Sequence, residues 1–91
     1  MIALTAPAPN PSAGEAQSSL ELSRASSVDV SVYDASGRLV RVLERDLLSS
    51  GRHALRWDGR DARGSRCAPG VFFVRAVASG STAVRRLIRA E

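Results

Sequence analysis

The chain contains no lysine and only one cysteine, one histidine, one tryptophan and one tyrosine. Each scarcity excludes something. A lone Cys67 permits no intramolecular disulfide and no thiolate metal centre. A lone His53 has no nucleophile near it in sequence, so a catalytic base is not indicated there. Its alternation with Leu55 and Trp57 instead predicts a half-buried position at a strand end. No apolar run approaches the roughly 20 residues that a membrane-spanning helix needs. Met1-Ile2-Ala3-Leu4 is apolar but too short for a signal-peptide core, so no secretory signal is visible. Phosphate-cradling, dinucleotide, nucleophile-elbow and zinc-protease motifs are all missing. The sequence therefore indicates no enzyme, no cofactor, no metal site and no small-molecule substrate.

What is present is enough for one small domain. Ninety-one residues at 44% hydrophobic content supply a single core. A chain of this size buries only about 60–65% of its unfolded surface, so its stability margin is thin. All 13 basic residues are arginine and the formal net charge is +4. Such a balance raises the question of nucleic acid. The arginines are scattered, however, and alternate with apolar residues, as on the solvent face of a sheet. No nucleic-acid surface is expected.

Residues 1–17 are rich in Ala, Pro, Ser and Gly, with Pro7, Pro9 and Pro11 at every second position. Proline disfavours helix at and before its own position, so this stretch reads as an extended linker. From residue 18 to 91 the pattern predicts a domain with a period of two. Leu20 and Leu22 mark a first strand. Val28, Val30 and Val32 mark a second. Asp34-Ala35-Ser36-Gly37 supplies a turn. A third strand runs from Arg38 to Leu43; helix is the competing reading over Val40–Leu48, and the β-branched Val40 and Val42 favour strand. Leu47 to Gly51 reads as a connection between sheets. Arg52–Trp57, Val71–Ala78 and Thr82–Arg89 complete the set, with Phe72, Val74 and Ala76 inward and Phe73 and Val77 partly covered. Turn signals at this spacing predict an all-β, antiparallel Ig-like sandwich of six to seven strands.

Trp57-Asp58-Gly59-Arg60-Asp61-Ala62-Arg63-Gly64 is the most distinctive stretch. Asp58 and Asp61 are the only carboxylate pair in a loop beside an aromatic. As a general-acid pair they would need a rigid cleft, and as a calcium site the right spacing, which Arg60 and Arg63 also oppose. Aspartate has its own use in turns. The stretch reads as a structural corner, with Trp57 plugging one end of the core.

Several motifs then fall in order: Pro9-Asn10-Pro11-Ser12, Val30 to Val40 with Tyr33-Asp34 and Gly37, Gly51 to Asp61 with Trp57-Asp58-Gly59, Ala68-Pro69-Gly70-Val71-Phe72, and Arg85-Arg86-Leu87-Ile88. Together they resemble the Ig-like domain of the flagellar hook-assembly protein FlgD, which looks much like the C-terminal sorting domains of type IX secretion. The resemblance covers about residues 9–91. It implies a non-catalytic, monomeric module of a longer secreted or cell-surface protein that reaches its destination through the periplasm. Its implied partner is the secretion translocon or another protein. Structural positions carried by the resemblance are Pro9, Asn10, Pro11, Tyr33, Gly37, Trp57, Asp58, Gly59, Gly70 and Phe72. The implied recognition residues are Arg85, Arg86, Leu87, Ile88 and Arg89, on a terminal strand expected at a sheet edge with free backbone groups. The FlgD branch implies a structural role in hook assembly instead. A third reading, an adhesion module, would need an exposed apolar or aromatic patch, whereas the aromatics are expected in the core.

Overall fold

A computed structural model describes residues 2–90. Alternation of apolar and polar residues produces seven strands and, among the described residues, no helix. They are β1 (Ile2–Leu4), β2 (Ala16–Leu22), β3 (Ser26–Asp34), β4 (Leu39–Leu48), β5 (Gly51–Trp57), β6 (Gly70–Ala78) and β7 (Ser81–Arg89). Two antiparallel sheets form, one in the order β1-β2-β5 and the other β4-β3-β6-β7. A strand has one face for each of its two alternating residue sets, so two such sheets bury one set from each. The core is filled by Leu20, Leu22, Leu55 and Trp57 from one sheet and by Val28, Val30, Val32, Phe72, Val74, Ala76 and Leu87 from the other. Val30, Val32, Leu20 and Ala76 are fully enclosed. This is the expected sandwich, with Phe72, Val74 and Ala76 inward and Phe73 and Val77 half-buried.

β4 departs from simple alternation, and the reason is local. Its pairing with β3 shifts register twice, skipping Val40 and Leu43. Each β-bulge inserts one residue and reverses which face the following side chains meet. The sequence has apolar neighbours at both places, Leu39-Val40 and Val42-Leu43. One member of each pair, Val40 and Leu43, packs against the core, while Leu39 stays half exposed at 51%. β4 also continues through Leu47 and Leu48, beyond the expected Leu43 end. The crossing between sheets is left to Ser49-Ser50, and the His53 imidazole meets the Ser49 carbonyl there (Nε2 to O, 2.7 Å).

The largest difference from expectation lies at the N-terminus. Residues 1–17 do not behave as a linker over their described part. β1 pairs with β2, Leu4 is buried, and Ala8 exchanges two backbone hydrogen bonds with Gln17 at 2.9 and 2.8 Å. Ser12 is wholly enclosed. Prolines are tolerated here because the stretch lies along sheet edges, where a missing N–H costs no ladder bond. The first long strand correspondingly starts at Ala16 instead of residue 18.

Leu4 gives a direct check. Truncating a buried leucine to alanine costs about 2–5 kcal/mol, whereas a change in a solvated linker stays within about 0.5 kcal/mol. Urea denaturation of Leu4→Ala is expected to show the larger loss, and a wild-type midpoint would restore the linker reading.

Candidate functional site

Two loops at one end of the sandwich share a construction. In Asp34-Ala35-Ser36-Gly37-Arg38 the Asp34 Oδ1 accepts from the Ser36 and Arg38 backbone N–H groups at 3.0 and 2.9 Å and from the Ser36 hydroxyl at 2.7 Å. In Asp61-Ala62-Arg63-Gly64-Ser65 the Asp61 Oδ1 accepts from the Arg63 and Ser65 N–H groups at 2.9 and 3.0 Å. The backbone bonds match as well: the fifth residue's carbonyl receives the aspartate N–H, and the glycine N–H returns to the aspartate carbonyl. The Ser36 and Arg38 donors hold the half-buried Asp34 carboxyl down at about 2, so it stays ionised across ordinary pH. Asp58 does similar work, accepting from the Arg60 N–H at 3.0 Å and pairing with Arg41 at 3.2 Å.

These loops flank an open cleft of about 770 Å³ that also reaches Cys67 and Val71. Its aspartates are already occupied as turn acceptors. Burial first, and the Asp61 charge second, push the Cys67 thiol up, which keeps it protonated and weakly nucleophilic. Among the described residues no group of three or more His, Cys, Asp or Glu is placed to hold a metal ion. The cleft assembles no acid, base and nucleophile.

The expected recognition strand is divided by the fold. β7 does lie at a sheet edge. Leu87, however, is 1% exposed and belongs to the core. Arg89 is 4% exposed. Its guanidinium lies 5.8 Å from the Trp57 ring centroid and donates to the Cys67 and Gly14 carbonyls at 3.3 and 3.2 Å. Arg85 bends back to the Leu4 carbonyl at 2.8 Å. Arg86 and Ile88 lie on the outward face of the strand, and Arg85, on the other face, is exposed beyond the edge of the core. An arginine on the same strand face as Leu87 was legible as a residue pointing inward; what it met there was not.

The edge itself is also partly closed. The Asn10 carboxamide imitates a strand's peptide group, donating to the Arg86 carbonyl at 3.1 Å and accepting from the Ile88 N–H at 2.9 Å. Ser12 continues the pairing, donating its N–H to Ile88 and accepting from Ala90, both at 2.8 Å. Asn10 and Ser12 thus cover the edge from Arg86 to the end of β7 and on to Ala90, and the expectation of free backbone groups fails over that length.

The Trp57 corner lies at the end of the core. Trp57 is buried, donates its indole N–H to the Arg60 carbonyl at 2.9 Å, and tilts against Phe72 at a centroid separation of 5.2 Å. Gly59 has φ +79°, and a Cβ placed on it would collide with the Arg89 guanidinium. Gly70 opens β6 opposite Arg89. Tyr33 sits between Leu39 and Phe73 across the outer face of the larger sheet, so not every aromatic is in the core.

The family model of the FlgD Ig-like domain matches residues 6–82. This chain belongs to that family. The family is one of structural, non-catalytic modules. Among solved structures, FlgD from P. aeruginosa is 31% identical with a TM-score of 0.64, covering 81% of this chain and 60% of that one. FlgD from Xanthomonas campestris, described as a hook-capping protein essential for flagellar assembly, is 27% identical with a TM-score of 0.66 over 96% of this chain and 65% of its own. The FlgD-like domain therefore spans somewhat under two thirds of either protein's length. Dimeric latent PorU from Porphyromonas gingivalis has the same fold at 19% identity, with a TM-score of 0.72 over 99% of this chain and 9% of its own. PorZ, a surface component of the type IX secretion system of that organism, matches at 22% identity and a TM-score of 0.61 over 99% of this chain. No curated protein matches the sequence.

The Gly59–Arg89 contact predicts a contrast between two glycines. Gly64 has a similar φ of +85° but open space around it. Both alanine variants carry the left-handed backbone penalty, of about 1 kcal/mol. Gly59→Ala is expected to lose at least about 1 kcal/mol more than Gly64→Ala in urea denaturation, because the guanidinium must move. Equal losses would mean that Arg89 does not rest on Gly59.

Proposed function

We propose that this FlgD-like domain is a sorting module, directing a longer cargo protein through a type IX secretion translocon to the cell surface or medium. The observation that carries the reading is the extent of the likeness to PorU. It runs over 99% of the chain at a TM-score of 0.72, above the 0.64 and 0.66 of the two FlgD domains. PorZ, also similar over 99% of the chain, is the component that names the secretion system. The chemistry of the module agrees with an address that is read by a protein. Its turns consume the loop aspartates, its cysteine is protonated, and the exposed residues of its last two strands include arginines and aliphatics.

The alternative is a structural module of flagellar hook assembly. The 31% identity to P. aeruginosa FlgD favours it. The two readings separate in an export assay. A periplasm-targeted reporter carrying this domain at its C-terminus is expected to reach the surface or medium of a type IX-competent bacterium, and to stay in the periplasm without it. Retention of a fusion whose domain resists proteolysis, and so is folded, would overturn the sorting reading.

A further inference from the structure

The charges of this chain are unevenly divided. Residues 1–61 hold seven arginines and eight carboxylates, whereas residues 62–90 hold six arginines and no Asp or Glu. β6 and β7 lie wholly in the second part and pair with each other along their full length. Their inward set is Phe72, Val74, Ala76, Ala78, Leu87 and Arg89, so the other set faces solvent. Cross-strand partners on that outer face are Val71 with Ile88, Phe73 with Arg86, and Arg75 with Val84. Cations and apolar side chains thus form a chequered patch. Val84 is 52% exposed, and Val71 and Ile88 are 37% exposed each.

The arginines of this patch differ from those on β4 and β5. Arg38, Arg41, Arg45, Arg52 and Arg56 all have carboxylate partners within 3.4 Å. Among the described residues Arg75 and Arg86 have none. Of the two carboxylates on the neighbouring β3, Asp29 is held by Arg45 and by the Ser31 hydroxyl, both at 2.8 Å, and Asp34 by Arg38 at 3.3 Å and by the N–H groups of its own turn. The patch therefore combines exposed apolar surface with two uncompensated charges of one sign.

We propose that the outer face of β6 and β7 docks an extended acidic segment of a protein partner, whose sheet-facing side, made of every second residue, carries both carboxylates and aliphatic side chains. Charge complementarity fixes the sign of the partner. The patch residues recur at every second position along each strand, and an extended chain presents every second side chain on one side at the same spacing. A second copy of this chain is a poor occupant, since it would set Arg75 and Arg86 against the same arginines. Addition of a strand at the edge is poor as well, because Asn10 and Ser12 already occupy the β7 edge from Arg86 to Ala90. The docking face supplies the recognition chemistry for the sorting reading, and rests on that reading only for which protein bears the acidic segment.

The test uses the isolated 91-residue chain and needs no secretion machinery. An eight-residue peptide, Glu-Ser-Val-Ser-Glu-Ser-Val-Ser, which puts Glu and Val on one side when extended, is titrated into the isotope-labelled protein, and backbone amide shifts are followed by NMR. Shifts are expected at Val71, Phe73, Arg75, Val84, Arg86 and Ile88. Arg75→Gln with Arg86→Gln is expected to weaken binding on the order of tenfold. Arg24→Gln with Arg63→Gln, two exposed arginines off this face, should leave it unchanged. Wild-type dispersion of the spectra shows that each pair still folds. No binding, shifts centred elsewhere, or equal weakening by the control pair would overturn the proposal. So would binding of phosphatidylglycerol vesicles through this face without peptide binding, which would assign it to a lipid surface. Export of the fusion with no peptide binding would sink the docking face and leave the sorting reading standing.

Discussion

One buried cation holds the end of this sandwich together. Arg89 is removed from water and, among the described residues, has no carboxylate ion-pair partner, an arrangement whose desolvation costs several kcal/mol unless other groups replace the lost hydration. The Cys67 and Gly14 carbonyls and the face of Trp57 are the replacements. With Arg89 itself they come from four distant parts of the chain: the loop before β6, the segment before β2, the end of β5, and β7. Gly59 leaves the space the guanidinium needs. The turn at Trp57-Asp58-Gly59 is therefore one half of a lock, and the terminal strand carries the other.

Most of the fold was legible because strand alternation is a local signal. Val28-Val30-Val32 and Phe72-Val74-Ala76 announce their inward faces without reference to the rest of the molecule. The Asp34 and Asp61 turns are legible too, since an aspartate bonding its own following N–H groups needs only five residues. The two β-bulges in β4 left a trace in the doublets Leu39-Val40 and Val42-Leu43, which simple alternation does not interpret. The N-terminal segment misled for a physical reason. Proline composition describes what a backbone cannot donate; it does not say whether a neighbouring edge awaits an asparagine side chain. Asn10 and Ser12 act across more than 70 residues, and no local pattern carries that.

The terminal strand shows the same limit in functional terms. Five consecutive residues, Arg85 to Arg89, form a single unit by resemblance. Folding assigns them four environments: a bond to β1, an outward charge, the core, and the Trp57 lock, with Ile88 outward beside Arg86. Two chemically identical side chains, Arg86 and Arg89, thus have opposite uses. One remains available to a partner, and the other is consumed by the fold. Removing the strand would confound the two, whereas surface substitutions on β6 and β7 separate them.

The claim that most of this account depends on is the coupling of Arg89 to Trp57, and a double-mutant cycle measures it. Urea denaturation of Trp57→Leu, Arg89→Met and the double variant gives the interaction energy directly. A desolvated cation over an indole, with shared supporting contacts, predicts a coupling of about 1–2 kcal/mol. Additivity to within about 0.5 kcal/mol would contradict it. Arg89 would then be a terminal arginine like the others, and the lock between the corner and the last strand would not exist.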